Sequence, residues 1–169
     1  MTNLYQIVTA ITNIGDAHPE ITRTVYGDNI KIDDEQESKY PVMHIASAPS
    51  TIQKGAASIS INITILDLPP ERDETQLETD SKAFAILADV IGEFQNGFTY
   101  INQDNRDVSI DEDVSVDPIA PQPDYNDRLI GWSGTVNVNV SYSKSGCNDN
   151  IINLESNTEF SKAFSLAFS

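Results

Sequence analysis

The sequence contains a single cysteine, Cys147, in 169 residues. One cysteine forms no disulfide within the chain, which excludes the small secreted domains that disulfides hold together. No apolar run reaches the roughly 18 residues of a transmembrane helix. No basic residue precedes Arg23 and no cleavage pattern follows an apolar core, so we expect no signal peptide and synthesis in a cytoplasm.

Basic residues are also few. Ten Lys and Arg oppose 26 Asp and Glu, which gives a net charge of −16. Such a field repels nucleic acids and anionic membranes, because phosphate binding requires Lys and Arg to replace counterions. Two interpretations remain. The protein is an ordinary soluble acidic protein, or its acidic surface has a function, such as binding a basic partner or keeping nucleic acid from adhering.

Motifs of catalysis and metal binding are missing. His18 and His44 have no Cys or second His at ligand spacing, and Gly131-Trp132-Ser133-Gly134 misses the nucleophile elbow by one residue. Cys147 has an acidic neighbour, Asp149, which disfavours a reactive thiolate. We therefore predict no enzyme, no metal and no cofactor.

One acidic segment is a weaker candidate for chemistry. It lacks the glycine and the distal glutamate of a helix–loop–helix calcium site, so a solvated acidic surface is favoured over calcium binding. An enzyme that uses a dispersed pair such as Asp111 and Asp113 is the least favoured alternative. The acids of the segment are Asp104, Asp107, Asp111, Glu112 and Asp113.

Two segments alternate strictly between apolar and polar residues, as half-buried strands do. Ser58 to Leu66 has isoleucine at every second position, and the strand predicted over 129–143 has Trp132 and three valines on one parity. Shorter strands are predicted over Ile21–Tyr26 and after Tyr40-Pro41, over 42–47. Since sequential strands usually pair, we expect 42–47 to form a hairpin with 57–67.

Two helices are predicted from apolar residues at helical spacing. The first follows a cap at Thr2-Asn3 and ends at Gly15, with an apolar stripe made of Leu4, Ile7, Val8, Ile11 and Ile14. The second begins between Asp73 and Ser81 and ends at Asn96-Gly97. Its predicted stripe is Phe84, Leu87, Ala88, Ile91 and Phe94, with Lys82, Asp89 and Glu93 facing outward.

The remaining segments are predicted as connections and edges. Phe98–Ile101 is a candidate strand edge, and the predicted loops or turns are 33–37, Pro49–Ala56, 102–107, Pro118–Asp127 and 145–150. Together these elements predict an α+β domain over 1–146, with a mostly antiparallel sheet and two helices on one face. The segment 147–169 contains Phe160, Phe164 and Phe168, which we expect to dock on this domain or on a neighbour.

Trp132 has two interpretations. It anchors the core or its edge, which its flanking glycines favour, or it lies at a subunit interface, where tryptophan is common.

The order of the elements resembles the tail-terminator or tail-completion proteins of long-tailed bacteriophages. The resemblance rests on four features within residues 1–143: the helix close to Met1, the proline-led strand Tyr40-Pro41-Val42-Met43-His44-Ile45, the strand Ile59–Leu66 leading to the helix Lys82–Phe94, and the Gly131-Trp132 strand after an acidic loop. The segment after Cys147 has no counterpart in the resemblance.

The resemblance implies a structural virion protein of the tail or neck. Proteins of that family form six-membered rings that cap the tail tube and join it to the head-side connector. The implied partners are other copies of the chain, the tube protein and the connector, with no membrane. DNA would pass the bore without specific binding, and Asp111, Glu112 and Asp113 are the candidate bore-facing acids. The alternatives are a small acidic adaptor or assembly chaperone for a basic partner, and another neck or tail-tube-related protein.

Overall fold

The computed structural model describes residues 4–27, 40–69, 76–101, 108–119 and 129–141. Several predictions fall outside these ranges: the Thr2-Asn3 cap, the loops 33–37, 102–107 and 145–150, and the segment 147–169 with its three phenylalanines. The elements are α1 (Leu4–Ala17), β1 (Arg23–Tyr26), β2 (Val42–Ser47), β3 (Thr51–Gln53), β4 (Ala56–Asp67), α2 (Gln76–Ile101), β5 (Val108–Ile110), β6 (Val116–Ile119) and β7 (Ile130–Ser141).

The described strands form one sheet in the order β1-β2-β4-β7-β5, with β3 also paired to β4 and β6 also paired to β7. Only the β1–β2 pair is parallel, and the other described pairs are antiparallel. The predicted α+β class with a mostly antiparallel sheet is therefore confirmed, as is the predicted pairing of 42–47 with 57–67.

The register of β4 and β7 separates an apolar face from a polar one. Ile61 lies opposite Val136, whereas Ser60 lies opposite Asn137. The apolar face packs against both helices, and the two layers share one core. The fully buried members of that core include Ile7 and Ile11 of α1, Met43 and Ile45 of β2, Ile61, Ile63 and Ile65 of β4, Ala83, Val90 and Phe94 of α2, and Val136 and Val138 of β7.

Helix α1 packs four of the five residues of the predicted stripe on the core, but the fifth, Leu4, is 40% exposed. The predicted end of the helix at Gly15 is wrong. Gly15 lies inside the helix and is buried. A Cβ atom at Gly15 would lie 2.0 Å from Met43 Cε and 2.7 Å from Thr24 Oγ1. The glycine therefore permits a close approach of α1 to the sheet and does not end the helix.

Helix α2 differs from its prediction in two ways. Phe84 and Ala88 are exposed, and the buried face is formed by Ala83, Ile86, Leu87, Val90, Ile91 and Phe94. The predicted stripe was rotated by roughly 60°, at 100° per residue, because it omitted Ala83, Ile86 and Val90. Lys82, Asp89 and Glu93 are exposed as predicted.

The second difference is the end of α2. The helix passes Asn96-Gly97 and includes Phe98–Ile101, where a strand edge was predicted. Adding a residue to an existing helix is easier than starting a new element, and this outweighs the strand preference of Phe, Thr and Ile.

One predicted loop contains a strand, and a second, Pro118–Asp127, begins inside one. β3 lies within Pro49–Ala56 and forms a tight hairpin with β4. β6 includes Pro118, which lies opposite Trp132 of β7. Proline is tolerated there because β6 is an edge strand in the described part of the sheet, so its missing N–H matters little.

Candidate interaction surfaces

The sheet face opposite the helices is a ladder of small polar side chains. Ser60 Oγ donates to Asn137 Oδ1 at 2.7 Å, Thr64 Oγ and Ser133 Oγ lie 2.9 Å apart, and Thr135 Oγ1 donates to Asn62 Oδ1. These cross-strand bonds fix the register of β4 and β7. Ser133, which the sequence placed in an imperfect nucleophile motif, is a member of this ladder.

Asp111 extends the ladder beyond β5. Its two carboxylate oxygens accept hydrogen bonds from Asn137 Nδ2 at 3.0 Å and Asn139 Nδ2 at 2.8 Å. Gln95 of α2 donates to the carbonyl oxygens of Asp111 and Glu112. The residue thus clamps the segment after β5 to β7 and to α2, which is a structural role.

Of the three candidate bore-facing acids, only Asp111 is half-buried, while Glu112 and Asp113 are exposed. They are consecutive in the connection between β5 and β6, which runs along one edge of the described sheet beside the middle of β7. Within the described ranges, no group of three or more His, Cys, Asp or Glu is arranged to hold a metal ion. Asp104 and Asp107 lie outside those ranges.

Trp132 is on the helix-facing side of β7 and is half-buried. Its indole N–H donates to Asp80 Oδ1 at 2.9 Å, and its ring meets the Phe84 ring edge-on with centroids 5.0 Å apart. Both contacts connect the first half of α2 to the sheet. Trp132 therefore acts as an anchor within the subunit, and its predicted role at an interface remains a prediction.

The two histidines make ordinary local contacts. His44 is buried, and its Nε2 lies 2.6 Å from the carbonyl oxygen of Gly27. His18 Nε2 lies 3.9 Å from Asp89 Oδ2, which links the end of α1 to α2. Each ring connects two neighbouring segments of the fold.

Strand β3, which leads into the turn before β4, carries an exposed apolar side chain. We call residues 51–54, Thr51-Ile52-Gln53-Lys54, the hairpin tip. Ile52 is 83% exposed, and Lys54 is exposed beside it. The segment from Tyr40 to Leu66 contains no Asp or Glu, so the hairpin tip is locally cationic in a chain of net charge −16.

A second exposed apolar surface lies on α2. Leu77, Phe84 and Ala88 are exposed at positions i, i+7 and i+11 of the helix, and we call them the α2 patch. Leu77 is 77% exposed and Phe84 is 44% exposed. Glu78 is exposed next to Leu77 in the chain, and the sequence of residues 71–80 contains five Asp and Glu against one Arg.

These two surfaces lie at opposite ends of the sheet. Ile52 lies opposite Ala57 of β4, whereas Phe84 packs on Trp132, which lies opposite Ile65 of the same strand. Ala57 and Ile65 are about 26 Å apart at 3.3 Å per residue. The hairpin tip is therefore well separated from the α2 patch of its own chain.

Sequence patterns did not identify either surface. Ile52 was assigned to a loop, and Phe84 and Ala88 were assigned to the core. An isolated isoleucine between Pro49 and Gly55 was the available signal for the hairpin tip. Leu77 is in line with Phe84 and Ala88 on the helix, so no signal in the sequence separates these residues from the core.

Within the described ranges, neither helix is both long enough and apolar enough to cross a bilayer. No family model matches the chain, and the search of curated proteins found no relative.

Proposed function

We propose that this chain is a structural subunit of a bacteriophage tail, a terminator that assembles into a ring on the end of the tail tube and joins it to the head-side connector. The proposal starts from the resemblance in element order. Its expected fold, an antiparallel sheet under two helices with the first helix near the N-terminus, agrees with the observed one.

The observation that carries the proposal is the pair of exposed apolar surfaces at opposite ends of the sheet. A ring subunit needs two different surfaces, one for each neighbour. The hairpin tip and the α2 patch differ in shape and in charge: the tip exposes one isoleucine, Ile52, and the patch exposes Leu77 and Phe84.

In this function the acidic composition suits a bore through which DNA moves. A negative wall repels phosphates and prevents the duplex from adhering. We assign Glu112 and Asp113 to that wall, because both are exposed in the connection between β5 and β6 at one edge of the sheet. A reconstruction of the ring with these two residues on its outer rim would refute the assignment.

The experiment is to add the purified, fluorescently labelled chain to tail tubes assembled from the tube protein of the same genome. We expect label at one end of each tube and an end to further growth, measured by electron microscopy of tube lengths. In particles, the chain should be found at the head-proximal end of the tail. Binding along the whole tube, or growth that continues unchanged, contradicts the proposal.

The net charge of −16 favours one alternative, an assembly chaperone for a basic partner. A chaperone stays monomeric or dimeric and is absent from finished particles. Mass spectrometry of purified particles distinguishes the two functions, because a terminator remains in them at a few copies per tail.

A further inference from the structure

We infer that copies of this chain associate head to tail, the hairpin tip of one copy docking on the α2 patch of the next. The inference rests on the proposed function, since it identifies the contact that would close the ring. It commits to a second copy of the chain as the occupant of both surfaces.

The hairpin tip and the α2 patch carry opposite charges. The hairpin tip presents Lys54 within a 27-residue segment, Tyr40 to Leu66, that contains no acid. The α2 patch presents Glu78 within the segment 71–80, whose five acids oppose one arginine. Lys54 is exposed two residues after Ile52, and Glu78 is exposed one residue after Leu77. Contact between the Ile52 and Leu77 side chains of two copies therefore brings the opposite charges of Lys54 and Glu78 near each other.

The two surfaces are also complementary in their apolar side chains. The hairpin tip offers one protruding isoleucine, and the α2 patch offers a leucine and the free side of a phenylalanine ring. The other side of that ring is held by Trp132, which is itself fixed by its bond to Asp80. The Phe84 ring is therefore held from within its own subunit, which lowers the side-chain entropy lost when it docks.

Geometry then fixes the type of assembly. Because the two surfaces lie about 26 Å apart along β4, a chain does not satisfy its own patch. A contact between two different surfaces leaves one of each free at the ends, so copies add one after another, into a ring where the rotation between copies closes and into an open filament where it does not. The proposed function requires the closed ring. A contact of the same surface with itself stops at a dimer.

The experiment uses the full-length chain and measures mass by sedimentation and light scattering over a range of concentrations. Ile52→Ser and Leu77→Ser each remove one docking side chain that is about four-fifths exposed, so the fold should be unchanged by circular dichroism. We expect each to weaken association at least tenfold. Tyr5→Ser is the matched control, because Tyr5 is 78% exposed on α1, outside both surfaces, and it should leave association unchanged.

Mixing the two variants tests the head-to-tail geometry. Ile52→Ser retains an intact patch and Leu77→Ser retains an intact hairpin tip, so an equimolar mixture should form dimers that do not extend. If either variant alone still forms the wild-type assembly, the assigned contact is wrong. A mixture that stays monomeric refutes the geometry as well.

Charge reversal gives an independent measurement. Lys54→Glu and Glu78→Lys should each weaken association, and the double variant should restore part of it by reforming the pair with opposite polarity. A double variant that is weaker than both single variants contradicts the pairing.

Failure of the contact is distinguishable from failure of the proposed function. If all of these variants form the same rings as the wild-type chain, the assigned contact is wrong and the proposed terminator function is unaffected. A wild-type chain that remains monomeric at about millimolar concentration overturns the contact. Binding to tube ends then decides the function separately.

Discussion

At the scale of single residues, Asp67 is a buried carboxyl group at the end of β4. Burial raises its pKa above the ordinary value of 3.8, and this outweighs the hydrogen bond from the Leu68 N–H and the charge of Lys82, which lower it. The carboxylate of Glu20 raises it further. The folded state therefore binds this proton more tightly than the unfolded state does.

Protonation of Asp67 makes the free energy of unfolding depend on pH. Because its folded pKa lies above the unfolded one, the contribution of Asp67 to stability is largest in acid and falls as the pH rises through the interval between the two pKa values. We expect Asp67→Asn to be more stable than wild type at pH 7, with a difference that shrinks below pH 4. Urea unfolding of both proteins across this range measures it.

The matched control for Asp67→Asn is Glu93→Gln, which replaces an exposed carboxylate on α2 and should change the unfolding free energy at pH 7 by less than about 0.5 kcal/mol. An Asp67→Asn variant that is less stable than wild type at pH 7 would show that Lys82 and the Leu68 hydrogen bond outweigh burial.

Two glycines give a second prediction at this scale. A Cβ atom at Gly131 would lie 1.9 Å from the carbonyl oxygen of Ile65, so Gly131→Ala must push β7 away from β4. We expect the free energy of unfolding to fall by about 1–3 kcal/mol, the usual cost of overpacking.

Gly92 of α2 has open space around its Cβ position, and Gly92→Ala should stabilise the protein by up to about 1 kcal/mol. Thermal unfolding of both variants compares them, and equal melting temperatures would contradict the close strand approach.

At the scale of elements, β7 is an interior strand of the described sheet, with β4 on one side and the edge strands β5 and β6 on the other. Val138 is fully buried on its helix-facing side, opposite Ile59. Val138→Asp places a carboxylate beneath the helices without a partner, and we expect it to cost several kcal/mol or to prevent folding. Ser141→Asp, at the exposed end of the same strand, is the control and should change the unfolding free energy by less than about 0.5 kcal/mol.

The elements that the sequence predicted correctly are those with a strict period. β4 and β7 alternate over most of their twelve residues each, so burial of one face determines both strand and register. The exposed surfaces were not predictable in the same way. Phe84 is large and apolar, and only the position of Trp132 on the neighbouring strand explains why it lies at the margin of the core.

β3 shows a different limit of sequence interpretation. Three exposed residues, Thr51-Ile52-Gln53, have no alternation to detect, and they become a strand because β4 extends beyond β2 and offers a free edge. The Asp111 clamp has the same origin. The amide groups that hold its carboxylate belong to Asn137 and Asn139, more than twenty residues away, and the register of β5 on β7 brings them together.

At the scale of the whole molecule, the net charge of −16 opposes any association between copies. This repulsion is long-range, because the Debye length is about 30 Å at 0.01 M salt and about 8 Å at 0.15 M. The proposed attraction between Lys54 and Glu78 is a single exposed pair, worth about 1 kcal/mol at most. Screening should therefore remove more repulsion than attraction.

We accordingly expect self-association of the wild-type chain to strengthen as salt rises from about 0.01 to 0.15 M, because the repulsion between copies is screened within that range. Light scattering at fixed protein concentration measures the change. In the Lys54→Glu, Glu78→Lys double variant, which has the same net charge, the dependence on salt should be the same. In the single variant Lys54→Glu, whose net charge is two units more negative, self-association should increase more steeply with salt. Association that weakens with salt in the wild-type chain would mean that local ion pairs, and not the apolar contact of Ile52 with the α2 patch, hold the copies together.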